Sequence, residues 1–278
     1  NTYGGGATYT MGTAAVTLTA SWQDQVYAVT YALNGGSGSA PVQSGLATGG
    51  AFTVATTTST KAGYTFTGWN TGTANVSAGS TFTMTANNVT LTAVWTIAAP
   101  ASPSSVSAVG GDGSATITVA ASSSGGAPTS YVVTASPGTG TCTVISPATS
   151  CVILGLTNGT TYTFSATATN STGTSTGTTS SSITPAGKPD APTGVNAVSG
   201  NGSATVSFTA PTVTGGPAIA SYTVTASPNG ATCTVNAPST SCVVPGLTNG
   251  TAYTFAVTAN NGLFTSSAST ASSSVVPA

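Results

Sequence analysis

The chain has 278 residues, of which 39% are hydrophobic and 2% charged, and its net charge is −1. Lys61, Lys188, Asp24, Asp112 and Asp190 are all of its charges, and there is no Arg, Glu or His. Phosphate backbones and anionic membrane surfaces are bound by clusters of Lys and Arg, so this composition argues against a nucleic-acid partner and against electrostatic membrane docking. No window approaches the roughly 18 uninterrupted apolar residues of a spanning helix, so membrane insertion is not expected.

Ser and Thr make up about a third of the chain. Disorder pairs low hydrophobicity with high net charge, and neither holds here. The apolar residues instead alternate with Thr, as in TFTMTANNVTLTAVW (Thr81 to Trp95). That period of two, carried by Thr, Val, Tyr and Phe, is the pattern of half-buried strands, and no stretch keeps a helical period over three turns. The class is all-β.

In chain order, the first segment is half of a repeat. TYGGGATYTMGTAAVTLTASW (Thr2 to Trp22) aligns with NVSAGSTFTMTANNVTLTAVW (Asn75 to Trp95), 73 residues further on. Gly6 falls on Gly79, Tyr9 on Phe82, Met11 on Met84, Val16 on Val89, Leu18 on Leu91 and Trp22 on Trp95. Residues 1–22 therefore read as the C-terminal half of a unit holding two strands with one apolar face, and residues 23–96 as a complete unit. Asn1 is preceded by neither a charged nor an apolar leader, which reads as a mature or truncated form.

The complete unit contains YAVTYALNGGSGSAP and KAGYTFTGWNT. With GYTFTGWN followed by FTMTANNVTLTAVW, it resembles the bacterial surface repeat of the internalin-B type, the Listeria–Bacteroides repeat. The resemblance implies a small β-grasp-like fold used as a spacer or binding module on bacterial surfaces. Trp69, Trp95 and, by the alignment, Trp22 take core positions in it.

Beyond residue 96 a second repeat runs with a period of about 91. SYVVTASPGTGTCTVISPATSCVILGLTNGTTYTF pairs with SYTVTASPNGATCTVNAPSTSCVVPGLTNGTAYTF, each after a Pro-rich joint and an early hairpin signal, GGDGSATI or SGNGSATV. Frequent turns and about seven short strands per unit describe two β-sandwiches, at 97–186 and 187–278. The four cysteines form two local pairs, Cys142 with Cys151 and Cys233 with Cys242. With no CxxC spacing and no His, they read as one short-range disulfide per domain rather than a metal site. Disulfides place the protein outside the reducing cytosol.

These units resemble fibronectin type III domains in a Cys-containing bacterial version, on Leu156, Asn158, Gly159, Thr160 and Tyr162 and on Leu247, Asn249, Gly250, Thr251 and Tyr253. The resemblance implies a tyrosine corner at Tyr162 and Tyr253, whose phenol bonds back to nearby backbone. It also implies a core aromatic on the second strand. Phe208 takes that place in the last domain; in the preceding one Val119 stands nearest, so its core is expected to pack differently.

Catalysis needs a base, a nucleophile or a metal held together by the fold. Hydroxyls abound, but without His or Glu nothing activates them, and the three Asp lie in different segments. The chain is read as non-enzymatic, without cofactor or metal. A Lys–Asn self-crosslink beside a buried carboxylate would have Lys61 and Asp24 as its parts; the plainer reading is a surface lysine. Six N-x-S/T sequons, at Asn75, Asn88, Asn158, Asn170, Asn201 and Asn249, are about what so Ser- and Thr-rich a chain yields by chance. Integrin-type binding relies on an Arg-containing loop, which is absent; Leu263 and Phe264 are read as the start of a strand, or as a contact point.

The missing charge bears on assembly. Sheet proteins guard their edges with lysines, and mixed surface charge opposes association. This chain does neither, and the half-unit cannot bury its own apolar face. Tyr9, Met11, Val16, Leu18 and Trp22 are thus the expected joint, either a truncation point or a segment completed by another subunit through strand addition. The expected partners are copies of the chain itself or neighbouring domains of a longer surface protein. The reading is a structural subunit or segment of a bacterial extracellular filament, stalk or adhesin; the rivals are a carbohydrate- or protein-binding surface module and a passive spacer of a secreted enzyme. Short Pro-containing joints favour an extended rod.

Overall fold

Thr, Val, Tyr and Phe in alternation leave one face of each segment apolar, and only a pleated sheet buries every second residue. The computed structural model describes residues 7–278, and among these every regular element is a strand. Contacts group the chain into two units, one of residues through Lys61 with Thr65–Thr96, the other of Ala62–Tyr64 with Ile97–Ala278.

The repeat carries β1 (Val26–Ala32), β2 (Gln43–Ala47), β3 (Ala51–Thr53), β4 (Tyr64–Asn70), β5 (Asn75–Val76), β6 (Thr81–Thr83) and β7 (Val89–Ile97). Its main sheet runs β2-β1-β7-β4-β5, and β3 pairs with β6 beside it. At the centre β1 and β7 are parallel, with Tyr31 opposite Leu91. First and last strands parallel at the centre, flanked by antiparallel neighbours, give the β-grasp-like order without a helix. β7, the last strand of the repeated half, thus lies at the middle of the main sheet, while β5 forms its edge and β6 pairs with β3. Trp69, Leu91 and Val54 are fully buried in its core. Tyr31 and Phe66 meet the Trp69 ring edge-on at 4.7 and 5.1 Å. The Trp69 indole N–H donates to Ala55 O at 2.8 Å, and the Ala55 amide donates to the Tyr31 hydroxyl at 2.9 Å.

The first sandwich carries β8 (Ser105–Gly111), β9 (Ser114–Ala120), β10 (Ser130–Ser136), β11 (Thr141–Ile145), β12 (Ser150–Leu154), β13 (Thr163–Asn170), β14 (Gly173–Thr174) and β15 (Thr178–Thr179). One sheet runs β12-β9-β8; the facing one runs β11-β10-β13-β14, with β15 also on β13. The second sandwich carries β16 (Thr193–Gly200), β17 (Ser203–Thr209), β18 (Ser221–Ser227), β19 (Thr232–Asn236), β20 (Ser241–Pro245) and β21 (Thr254–Asn260). Its sheets run β16-β17-β20 and β19-β18-β21. Each predicted hairpin closes on two residues: Gly111 pairs with Ser114 and Gly200 with Ser203.

The two cores differ where the sequence suggests. Phe208 is buried against Tyr222, with ring centroids 4.9 Å apart. The equivalent Val119 is equally buried but smaller, and two positions of the same sheet compensate: Ile117 and Ile153 stand where the second sandwich has Val206 and Val244. Two added methylenes partly refill what the missing ring leaves, as close packing requires. Burial pushes the phenols of Tyr131 and Tyr222 above their ordinary range. A phenol held neutral in the fold stabilises it below the unfolded value near pH 10. That contribution is lost as the pH rises through the folded value, so urea midpoints of both sandwiches should fall above about pH 10.

Candidate functional surfaces

Residues 7–25 contain no strand, so the two strands expected within residues 2–22 are not formed over the described part; Thr2 to Gly6 lie outside the described residues. A strand needs a paired strand to satisfy its backbone, and among the described residues none pairs with residues 7–25. Met11, Leu18 and Trp22 are 66%, 65% and 91% exposed, whereas Met84 and Leu91 are 2% and 0% exposed. Val16 is also exposed, and Tyr9 is half-buried. The core placement read for Trp22 therefore fails in this chain. In the complete unit its counterpart Trp95 donates its indole N–H to Leu33 O at 2.8 Å and packs edge-on against Phe66. Gly36 makes room for it, since a Cβ there would sit 2.6 Å from the Trp95 ring.

In the sandwiches, Cys142–Cys151 and Cys233–Cys242 are disulfide-bonded. The first joins β11 to β12 and the second β19 to β20, which are the outermost strands of facing sheets. Each bond thus staples the two layers at the same lateral edge. Closing a loop this short removes unfolded-state entropy, so replacing Cys233 and Cys242 by Ser should cost about 2–3 kcal/mol. The check is a urea titration with and without reductant, in which the last sandwich of the reduced intact chain should match that of the variant.

Tyr162 and Tyr253 sit at their corners, each hydroxyl accepting from a backbone amide five residues back: Thr157 N at 3.2 Å and Thr248 N at 3.1 Å. Asn158 and Asn249, from the same motif, tie each corner to the first hairpin. Their amide oxygens accept from Gly113 N and Gly202 N, and their nitrogens donate to Asp112 and Asn201. All six sequon asparagines have their side-chain amides engaged in such internal bonds. Asn170 is itself buried.

Two features were missed in the sequence. Asn170 ends β13 and Asn261 directly follows β21, and each clamps the incoming linker: Asn170 Nδ2 donates to Ala98 O at 2.8 Å, and Asn261 Nδ2 to Gly187 O at 3.0 Å and Thr214 O at 2.9 Å. Their shared period was a visible signal. Between the sandwiches the linker is further held by Gly187 N donating to Gly215 O at 2.8 Å. Gly159 there meets Gly216, whose φ is +110° and whose Cβ, if present, would lie 2.8 Å from Gly159 N.

The second feature is a serine strap. After β21 the chain returns along it with Ser266, Ser269 and Ser272 facing inward. Their amides donate to Ala259, Val257 and Phe255 carbonyls, and their hydroxyls accept from the same three residues' amides at 2.9, 2.9 and 3.1 Å. Each hydroxyl then donates to the next residue's carbonyl at 2.8 Å. A strap that advances three residues for every two of the strand has the threefold period of an extended left-handed helix rather than of a strand, which is why period-two reading passed over it. Ser272→Ala would leave the buried Phe255 amide unpaired and should destabilise the last sandwich by about 1–3 kcal/mol, read as a lower urea midpoint and faster Phe255 amide exchange.

The remaining sequence candidates disperse. Leu263 and Phe264 are exposed, in the turn closed by Asn261 Oδ1 accepting from both their amides, and do not start a strand. Lys61 Nζ donates to Asn34 O at 3.1 Å, while Asp24 is exposed rather than the buried carboxylate a crosslink needs. Among the described residues no three Cys or Asp converge as metal ligands, and no buried side-chain polar atom lacks a partner.

Paired antiparallel sheets with a tyrosine corner, twice over, define a protein of tandem β-sandwich modules. The family model for the fibronectin type III domain matches residues 101–185 and 190–275. The chain belongs to the fibronectin type III family. The Listeria-Bacteroides repeat domain matches residues 27–94. Among solved structures, the crystal structure of chicken CNTN1 FN1-FN3 domains is similar at 19% identity. That match covers 69% of this chain and 70% of that one, with a TM-score of 0.34. Titin kinase and its flanking domains match at 28% identity over 33% of this chain and 18% of that one, with a TM-score of 0.28. This chain thus corresponds to under a fifth of the latter's length. No curated protein matches the chain. Fibronectin type III domains are typically non-catalytic structural or binding modules, and with a surface repeat and two disulfides they suit an extracellular or surface protein.

Proposed function

We propose that the chain is a non-catalytic structural segment of a bacterial extracellular filament, stalk or adhesin, joined to its neighbours by strand complementation through residues 7–22. The observation that carries this is the uncovered apolar row Met11, Val16, Leu18 and Trp22, a strand-forming sequence without neighbours in a chain that otherwise buries its core residues. Near-zero net charge supports it, because nothing repels a second subunit. Negative-stain electron microscopy of material from the native source, before any denaturant, tests it. Regular fibres or end-to-end rods are expected; dispersed single particles at all concentrations would remove the joint.

The exposed Trp22 also favours a second reading, a surface module that stacks carbohydrate on that ring. Saturable quenching of Trp fluorescence by a polysaccharide, lost in Trp22→Ala, would favour it over the first.

A further inference from the structure

Resting on the strand-complementation reading, we propose that the partner of residues 7–22 is the first half of another repeat of the same kind, a segment equivalent to residues 23–73. The complete unit displays the covered form of the same sequence. There β7 lies between β1 and β4, the innermost position of the sheet, and β6 pairs with β3. Met84 and Leu91 share one buried core with Val29 and Tyr31 of β1, Phe52 of β3 and Trp69 of β4, strands that come from the first half.

The register follows from the pairing. Leu91 stands opposite Tyr31 and Val89 opposite Val29 in the parallel pair, so Leu18 and Val16 take those places against the partner's matching Tyr and Val. Met11 fills the site of Met84, and Trp22 donates its indole N–H to the carbonyl matching Leu33. Other acceptors fit less well. The complete unit of a second copy already holds β6 and β7, so its central slot is filled. Every sandwich strand pairs antiparallel, so none offers a parallel slot to a strand of this type.

The test extends the full chain by a second copy of residues 23–73 fused ahead of Asn1, and follows amide hydrogen exchange by mass spectrometry. Residues 9–22 should slow by roughly 100-fold or more, toward the protection of residues 82–95. Leu18→Asp in the fused chain should abolish that slowing while residues 82–95 keep theirs. Unchanged exchange of residues 9–22 on fusion, with residues 82–95 protected, overturns the assignment. Protected residues 9–22 alongside only dispersed particles in the native material would keep this partner and remove the filament. Fibres with residues 9–22 unprotected on fusion would do the reverse.

Discussion

Trp69→Ala should unfold the surface repeat at 25 °C and leave both sandwiches folded. Trp69 is fully buried between Tyr31 and Phe66, so truncation opens a cavity worth about 3–5 kcal/mol. The lost indole donor also leaves Ala55 O without its bond, costing about 1 kcal/mol more. A module this small seldom holds more than roughly 3–5 kcal/mol in all, so the loss consumes its stability. Hydrogen exchange should show residues 26–97 unprotected while β9, β10, β17 and β18 keep native rates. Trp69→Phe keeps most of the volume and should leave the repeat folded but weakened. A folded Trp69→Ala repeat with an unchanged urea midpoint would mean that the core closes over the gap.

The second large effect is at the tyrosine corner. Tyr253 is buried, its ring fills the end of the core, and its hydroxyl accepts from Thr248 N and, at 3.4 Å, from Asn229 Nδ2. Tyr253→Ala should cost about 3–5 kcal/mol, and Tyr253→Phe about 1–3 kcal/mol because a corner amide loses its acceptor. Tyr162→Phe should cost less than Tyr253→Phe. At Tyr162 the hydroxyl has only Thr157 N to satisfy, and the residue matching Asn229 is Gly138. Urea titrations of the full chain, resolved by exchange at Phe164 and Phe255, read the two sandwiches separately. Equal losses would mean that the Asn229 contact adds nothing.

Much of this was legible because repeats and period-two alternation are properties of neighbours in sequence. Tyr162 and Tyr253 could be placed at corners since motif and turn are local. Val119 against Phe208 announced two different cores, but not that Ile117 and Ile153 would do the compensating; that depends on which residues of β9 and of its neighbour β12 share the buried face. Asn170 reads only as one of six sequons because a sequon is a three-residue pattern, and Asn261 carries no motif, whereas the role of both depends on a linker some 70 residues upstream.

Composition, spacing and alternation carry the all-β class, the module order, the cysteine pairs as neighbours and the low charge. It takes the folded chain to show that the disulfides staple the outermost strands of facing sheets, that a serine strap of period three closes the last sandwich, and that Trp22 is exposed while its repeat partner Trp95 is packed. The physical reason is the same in each case. An apolar strand is buried only by neighbours that satisfy its backbone and cover its face, and whether those neighbours are present is a fact about space rather than about the strand's own residues.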